Sequence, residues 1–256
     1  MISVRDLTFS YDAKPVLEHL SFSVPEGGLT ALLGCNGTGK TTLFRCMLGI
    51  QPHYSGEIDL DGRELRQYSA SQLASKIAYI PQNHYPAFNY SVLDMVLMGT
   101  TQQLRAFASP GPKQIRLAEE AMARLGISAL SYRDYMRLSG GEKQLVLIAR
   151  ALAQQAPILL MDEPTASLDF GNQLRVMDQV RQLSHSGYTV VMSTHNPQHA
   201  LSYCDRVLAL KSGRVQADGT PEDVIDEALM EALYGVSVQF EDTSCGRIIM
   251  AASGHK

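Results

Sequence analysis

The 256-residue sequence predicts an α/β fold with a mixed or parallel core sheet, a small antiparallel β lobe and an inserted helical lobe. Three observations carry this reading. Residues 29–33, 158–161 and 189–192 are short apolar runs, as expected of strands buried on both faces of a sheet covered by helices. The N-terminal stretch instead alternates apolar and polar residues, the period of half-buried strands. Between about 83 and 153 the apolar spacing becomes helical.

In chain order, Val4, Leu7 and Phe9 mark a first half-buried strand, and Leu20, Phe22 and Val24 a second. Ile58-Asp59-Leu60 follows the same rule and runs into Asp61-Gly62, a dipeptide suited to a tight hairpin turn. Residues 42–48 are compatible with a helix after the first core strand. Within the helical lobe, Ile115, Met122 and Leu125 recur along one stretch that stops at Gly126, and residues 143–153 are strongly helical. The tail offers 236–240 and 248–250 around Asp242-Thr243-Ser244-Cys245-Gly246, a terminal hairpin. The expected organisation is one domain over 1–236, with the lobe 83–153 inserted, and a hairpin tail over 237–256.

Composition excludes several classes. With 45% hydrophobic and 19% charged residues the chain is neither disordered nor collagenous. Its 22 Lys and Arg against 26 Asp and Glu leave a charge of −4, so whole-molecule attraction to nucleic acid or anionic lipid is not the organising force. Apolar runs such as 145–149 and 248–252 reach about five residues, where a membrane span needs roughly 20. Met1-Ile2-Ser3-Val4-Arg5-Asp6 lacks a basic segment followed by an apolar one, so no secretory signal is expected and the default location is cytosolic. Cys35, Cys46, Cys204 and Cys245 show no CxxC or metal-ligand spacing and read as reduced packing residues.

Gly34-Cys35-Asn36-Gly37-Thr38-Gly39-Lys40-Thr41 fits G-x-x-x-x-G-K-[ST] between a core strand and a helix-compatible run. The glycines let consecutive N–H groups turn inward as an anion nest at a helix start, and Lys40 brings a positive charge to the β and γ phosphates. Thr41 would hold Mg²⁺ through its hydroxyl, and Thr42 is counted with the nucleotide-binding residues. Alone, such a P-loop says only that a nucleoside triphosphate binds. The strand 158–161 ends in Asp162-Glu163-Pro164, two adjacent carboxylates where α/β sheets bind ligands. Successive strand residues point in opposite directions, so unless the strand bends the two divide their roles. Asp162 then faces Mg²⁺, and Glu163 polarises the attacking water.

Leu138-Ser139-Gly140-Gly141-Glu142 opens the helix 143–153 and supplies a second anion-binding helix start, 23 positions before Asp162 as counted from Ser139. Here the sequence resembles the ATP-binding-cassette (ABC) ATPases, whose signature motif looks like residues 138–142. The resemblance covers about residues 1–236. It implies two copies packed head to tail, each ATP lying between one P-loop and the opposing subunit's Ser139, Gly140, Gly141 and Glu142. It also gives Tyr11 as the aromatic against adenine, Val16 as an apolar contact beside it, and Gln82 as a glutamine touching Mg²⁺ and the water. His195 resembles the switch histidine that contacts the γ-phosphate and joins Glu163 in catalysis. Ser167-Leu168-Asp169 resembles the loop joining the two sites, with Asp169 in communication across the dimer. Taken alone, Tyr11 serves packing equally well.

Residues 88–99 and Asp169-Phe170-Gly171-Asn172-Gln173 look like the ATPase subunits of bacterial importers for iron–siderophore, haem, cobalamin or molybdate/tungstate. The spacing of Val92, Met95, Val96 and Met98 is also that of a plain helix core. The resemblance implies ATP and Mg²⁺ as cofactors, a self-dimer, two copies of a polytopic membrane permease subunit and, indirectly, a substrate-binding protein. It implies no nucleic acid, and a cytoplasmic location on the inner face of the membrane. Lys143 stands where the family usually has Arg or Gln, and Thr100 where relatives often have Arg. The competing readings are a separate-subunit exporter and a non-transport ABC ATPase. Against the latter, Lys40 and Ser139 lie 99 positions apart, which leaves no room for a long coiled-coil insert.

Overall fold

The computed structural model describes residues 1–103, 109–244 and 246–252. Its first sheet is built from β1 (Ile2–Ser10), β2 (Pro15–Val24), β4 (Ser55–Leu60) and β5 (Arg63–Glu64), in the order β2-β1-β4-β5 and antiparallel throughout. The three-residue steps from Val4 to Leu7 and from Leu17 to Leu20 are explained here. Asp6 and His19 take left-handed φ values of 50° and 52°, and the β1–β2 pairing shifts register between Val4 and Leu7, so each bulge returns the next apolar side chain to the core. Asp61 and Gly62 both have positive φ and close the predicted two-residue turn between Leu60 and Arg63.

The central sheet joins β3 (Leu29–Leu33), β6 (Ile77–Ile80), β7 (Ile158–Asp162), β8 (Thr189–Thr194), β9 (Arg206–Lys211) and β10 (Arg214–Gly219) in the order β10-β9-β3-β8-β7-β6. All neighbours are parallel except β10 on β9. The two-faced burial expected of its strands has a direct cause. Leu29, Ala31, Leu33, Leu159 and Met161 enter one core with the helices, whereas Leu32, Ile158, Leu160 and Val191 enter a second core shared with the antiparallel sheet.

Helices α1 (Lys40–Met47) and α2 (Ala70–Lys76) follow β3 and precede β6, respectively. The helical lobe comprises α3 (Val92–Leu97), α4 (Pro112–Arg124) and α5 (Gly140–Ala153), with 3-10 turns at Met98–Gln103, Ser128–Leu130 and Tyr135–Arg137. Residues 104–108 of the lobe predicted over 83–153 lie outside the described residues. Met122 and Leu125 are buried, but Ile115 is 37% exposed: the apolar spacing identified the helix, and one member of the set faces outward. Val92, Met95 and Val96 are fully buried, so the helix-core alternative holds for them.

The chain continues through α6 (Phe170–His185), α7 (Pro197–Tyr203), α8 (Pro221–Val224) and α9 (Glu227–Tyr234) to a hairpin of β11 (Val238–Thr243) and β12 (Gly246–Ala251). The hairpin starts at Val238, two residues later than the pattern predicts, after Gly235 has closed α9 in a left-handed conformation. Phe240 and Ile249 pack on the main core. Cys46 and Cys204 are buried free thiols and Cys35 is half-buried; Cys245 lies outside the described residues.

Candidate nucleotide site

The turn from β3 into α1 places Gly37 and Gly39 at φ 81° and 101°. At Gly39 this left-handed geometry coincides with a close approach, since a Cβ would lie 2.7 Å from Leu17 Cδ2. The helix start beyond it has no side-chain cap and no acidic residue in its first turn. Its N–H groups therefore need an outside acceptor. Lys40, 5% exposed, bends back to donate to the carbonyl oxygens of Gly34 (2.7 Å) and Cys35 (3.0 Å), and lies 3.3 Å from Glu163 Oε1.

Asp162, the last residue of β7, and Glu163 just after it line the cavity beside this turn, of about 280 Å³, together with Val16, Asn36, Lys40, Thr41, Thr42 and Gln82. The alternation of a straight strand would send them to opposite faces. Glu163 takes φ 46°, so the strand bends at that residue and both turn toward the P-loop. Asp162 accepts from Thr41 Oγ1 (2.7 Å), Ser193 Oγ (2.6 Å) and Tyr79 Oη (3.2 Å). Ser193 also accepts from the backbone N–H of Glu163 at 2.9 Å, which locks the bend. Burial pushes the Tyr79 phenol up, so it remains a donor. Glu163 Oε2 meets Gln82 Nε2 at 3.4 Å and His195 Nδ1 at 3.1 Å. His195 directly follows β8, half exposed, beside a further cavity of about 260 Å³ that also touches Asn36, Gln82 and Glu163.

Val16 lines the P-loop cavity, but Tyr11 does not. Its ring stands edge-on to Phe9 (4.9 Å) and its hydroxyl accepts from Arg45 at 3.3 Å, while about half of its surface stays exposed.

The second helix start is built differently. Ser139 Oγ accepts from the Glu142 N–H (3.3 Å), and Glu142 Oε2 accepts from both the N–H and the hydroxyl of Ser139 (2.8 Å each). These bonds hold the Glu142 carboxyl below its usual range. Gly141 lets Asn172 pass close by, since a Cβ there would lie 2.5 Å from Asn172 Oδ1. Asp169 caps α6 through Asn172 (2.9 and 2.7 Å) and is likewise held below the ordinary carboxylate range, chiefly by that backbone bond. Neither Ser139 nor the glycines after it line the P-loop cavity of the same chain.

Comparison with known proteins decides the family. The family model described as "ABC transporter" matches residues 17–166. The chain belongs to the ABC transporter family. It is an ATP-binding, ATP-hydrolysing cassette. The ABC cassette is 44% identical over 210 residues to a Haemophilus influenzae protein described as an ABC transporter ATP-binding protein, covering 82% of this chain and 80% of that one. It is 36% identical over 241 residues to a Helicobacter pylori protein described as a "Probable iron chelatin transport ATP-binding protein", covering 93% and 94%. Among solved structures, an ABC transporter assigned to the metal-chelate type, in an inward-facing conformation, superposes with a TM-score of 0.87 at 31% identity over 100% of this chain and 98% of that one.

Four contributors to this ABC site escaped the sequence reading: Tyr79, Ser193, Leu233 and Tyr234. Ser193 had a signal, a polar residue late in an apolar strand run. Leu233 and Tyr234 had none, because what places them is a tertiary contact of α9 with the P-loop and the residue after β8. Cys35 Sγ donates to the Leu233 carbonyl at 3.1 Å, and Tyr234 Oη to the His195 carbonyl at 3.0 Å.

Proposed function

We propose that this ABC cassette powers a membrane importer, with a metal chelate such as an iron–siderophore, haem or cobalamin as the cargo class and molybdate or tungstate ranking second. The observation that carries the chemistry is the convergence of Lys40, Thr41, Gln82, Asp162 and Glu163 on one cavity, with His195 bonded to Glu163. The similarity to iron-chelate and metal-chelate systems supports the cargo class.

In this reading residues 34–42 cradle the triphosphate, with Val16 and Tyr11 toward the base. Thr41, Asp162 and Gln82 offer neutral and anionic oxygens on one wall, a donor set that suits Mg²⁺. The ion, when bound, neutralises charge building on the β and γ phosphates. Lys40 is shared between Glu163 and the P-loop carbonyls, so a phosphate competes with Glu163 for the same cation. Glu163 accepts the proton of the attacking water, and His195 holds the γ-phosphate side of the site. In a head-to-tail pair the partner's Ser139, Gly140 and Gly141 complete each site, Glu142 orients Ser139, and Asp169 links one site to the other. Contacts of the γ-phosphate across the interface favour the closed pair, and hydrolysis removes them.

The outlet for this motion is the surface after Gln82. A cavity of about 190 Å³ is lined by Gln82, His84, Tyr85, Tyr135 and Leu168, and Tyr85 and Phe88 are 82% and 70% exposed beside it. In the paired cassettes each such surface would receive one of two copies of a polytopic permease subunit, which in turn meet a substrate-binding protein. Among the described residues no helix is long and apolar enough to cross a membrane, which fits peripheral attachment at the inner face. The test is purification of this chain from detergent-solubilised native membranes, with its partners identified by mass spectrometry. A stable pair of polytopic subunits supports the importer. Recovery with ribosomes or nucleic acid and no membrane protein overturns it, and dependence of outward transport on the chain would favour an exporter.

A further inference from the structure

His195 is poorly held by its own surroundings. Its side chain is 52% exposed and makes one described polar contact, to Glu163. An exposed side chain of this kind loses its geometry unless its peptide is anchored. The anchors come from the C-terminal end of the chain. Tyr234 Oη donates to the His195 carbonyl at 3.0 Å. Three residues after His195, Gln198 Nε2 donates to the Arg247 carbonyl (3.0 Å) and Gln198 Oε1 accepts from the Ile249 N–H (2.9 Å). One residue before Tyr234, the Leu233 carbonyl accepts the thiol of Cys35 in the P-loop at 3.1 Å. Helix α9 and strand β12 thus grip residues 195–198 from two sides and tie α9 to the phosphate-binding turn.

We infer that α9 and the β11–β12 hairpin form a positioning device for His195, with Tyr234 as its principal residue and Gln198 as the second. The inference rests on the catalytic part given to His195 above. Burial pushes the Tyr234 phenol up, so the hydroxyl stays protonated across the physiological range. Its ring supplies packing and its oxygen supplies the anchor, and Tyr234→Phe separates the two. Tyr234 touches neither ATP-facing glycines nor Lys40 in any described bond, so its loss acts on turnover rather than on binding.

The test uses the whole 256-residue chain and measures steady-state kcat and KM for Mg·ATP in wild type, Tyr234→Phe, His195→Ala and the double variant. Losing one neutral hydrogen bond should lower the rate about 3- to 10-fold with KM unchanged. In the His195→Ala background the same substitution should change the residual rate by less than about 2-fold, because it acts through His195. Gln198→Ala provides an independent variant, expected to slow turnover in the same way. A wild-type rate in both Tyr234→Phe and Gln198→Ala, or an equal loss with and without His195, overturns the positioning device while leaving the site as proposed. A wild-type rate in His195→Ala overturns the role of His195 itself and this inference with it.

Discussion

Helices α1 and α5 of this cassette both begin at glycines, and their starts differ in what satisfies them. At α1 the N–H groups have no side-chain cap, and a buried lysine is folded over the turn. At α5 Ser139 and Glu142 cap each other, and a carboxylate already occupies the positive end of the helix. The first start is therefore an open anion site within one chain. The second is a finished, capped edge, and in the proposed pair it meets an anionic ligand only across the interface. A single chain carries two halves of different kinds, which is what a head-to-tail pair requires.

Substitutions at the two starts should therefore fail differently. The largest effect belongs to the α1 side: Glu163→Gln should slow hydrolysis about 10²- to 10⁴-fold while ATP still binds, checked by phosphate release and by equilibrium binding. Lys40→Ala should instead weaken nucleotide binding about 10- to 100-fold, read by calorimetric titration, since it removes a charged donor to phosphate. On the α5 side, Gly141→Ala pushes a methyl group into Asn172 and should cost about 1–3 kcal/mol in urea unfolding, with nucleotide affinity of the single chain unchanged. Ser139→Ala should cost about 1 kcal/mol of stability through the lost cap, again without touching single-chain affinity.

The smallest effect is a pH dependence. Glu142 has a lowered carboxyl pKa in the folded chain, so its contribution is present above the ordinary carboxylate value and fades as pH falls through the lowered one. The Tm difference between wild type and Glu142→Gln, present at neutral pH, should start to shrink as pH falls through the ordinary glutamate value of about 4.3 and vanish only below the lowered one. A difference that widened on acidification would break the capping account of α5.

Much of this was legible in the sequence because it is local. The P-loop, Asp162-Glu163 and residues 138–142 are contiguous motifs, and the core strands 29–33, 158–161 and 189–192 are runs whose burial on both faces needs no knowledge of partners. What escaped was long-range. That Asp162 and Glu163 share one cavity depends on the bend at Glu163 and on Ser193, which arrives from the neighbouring strand. The outward face of Ile115 and the grip of Tyr234 on His195 are likewise set by which element packs where, a property that periodicity within one segment does not encode. Tyr11 keeps both of its readings: its ring stands edge-on to Phe9 and its hydroxyl accepts from Arg45, while about half of its surface stays open to a base.

The central claim, that the open start of one chain is completed by the capped start of another, is tested most directly by sedimentation velocity of Glu163→Gln. The account predicts a doubling of mass with Mg·ATP, none with Mg·ADP or without nucleotide, and loss of the doubling when Gly140→Asp is added. A mass that stays at one chain under saturating ATP, or a dimer indifferent to Gly140→Asp, would contradict it.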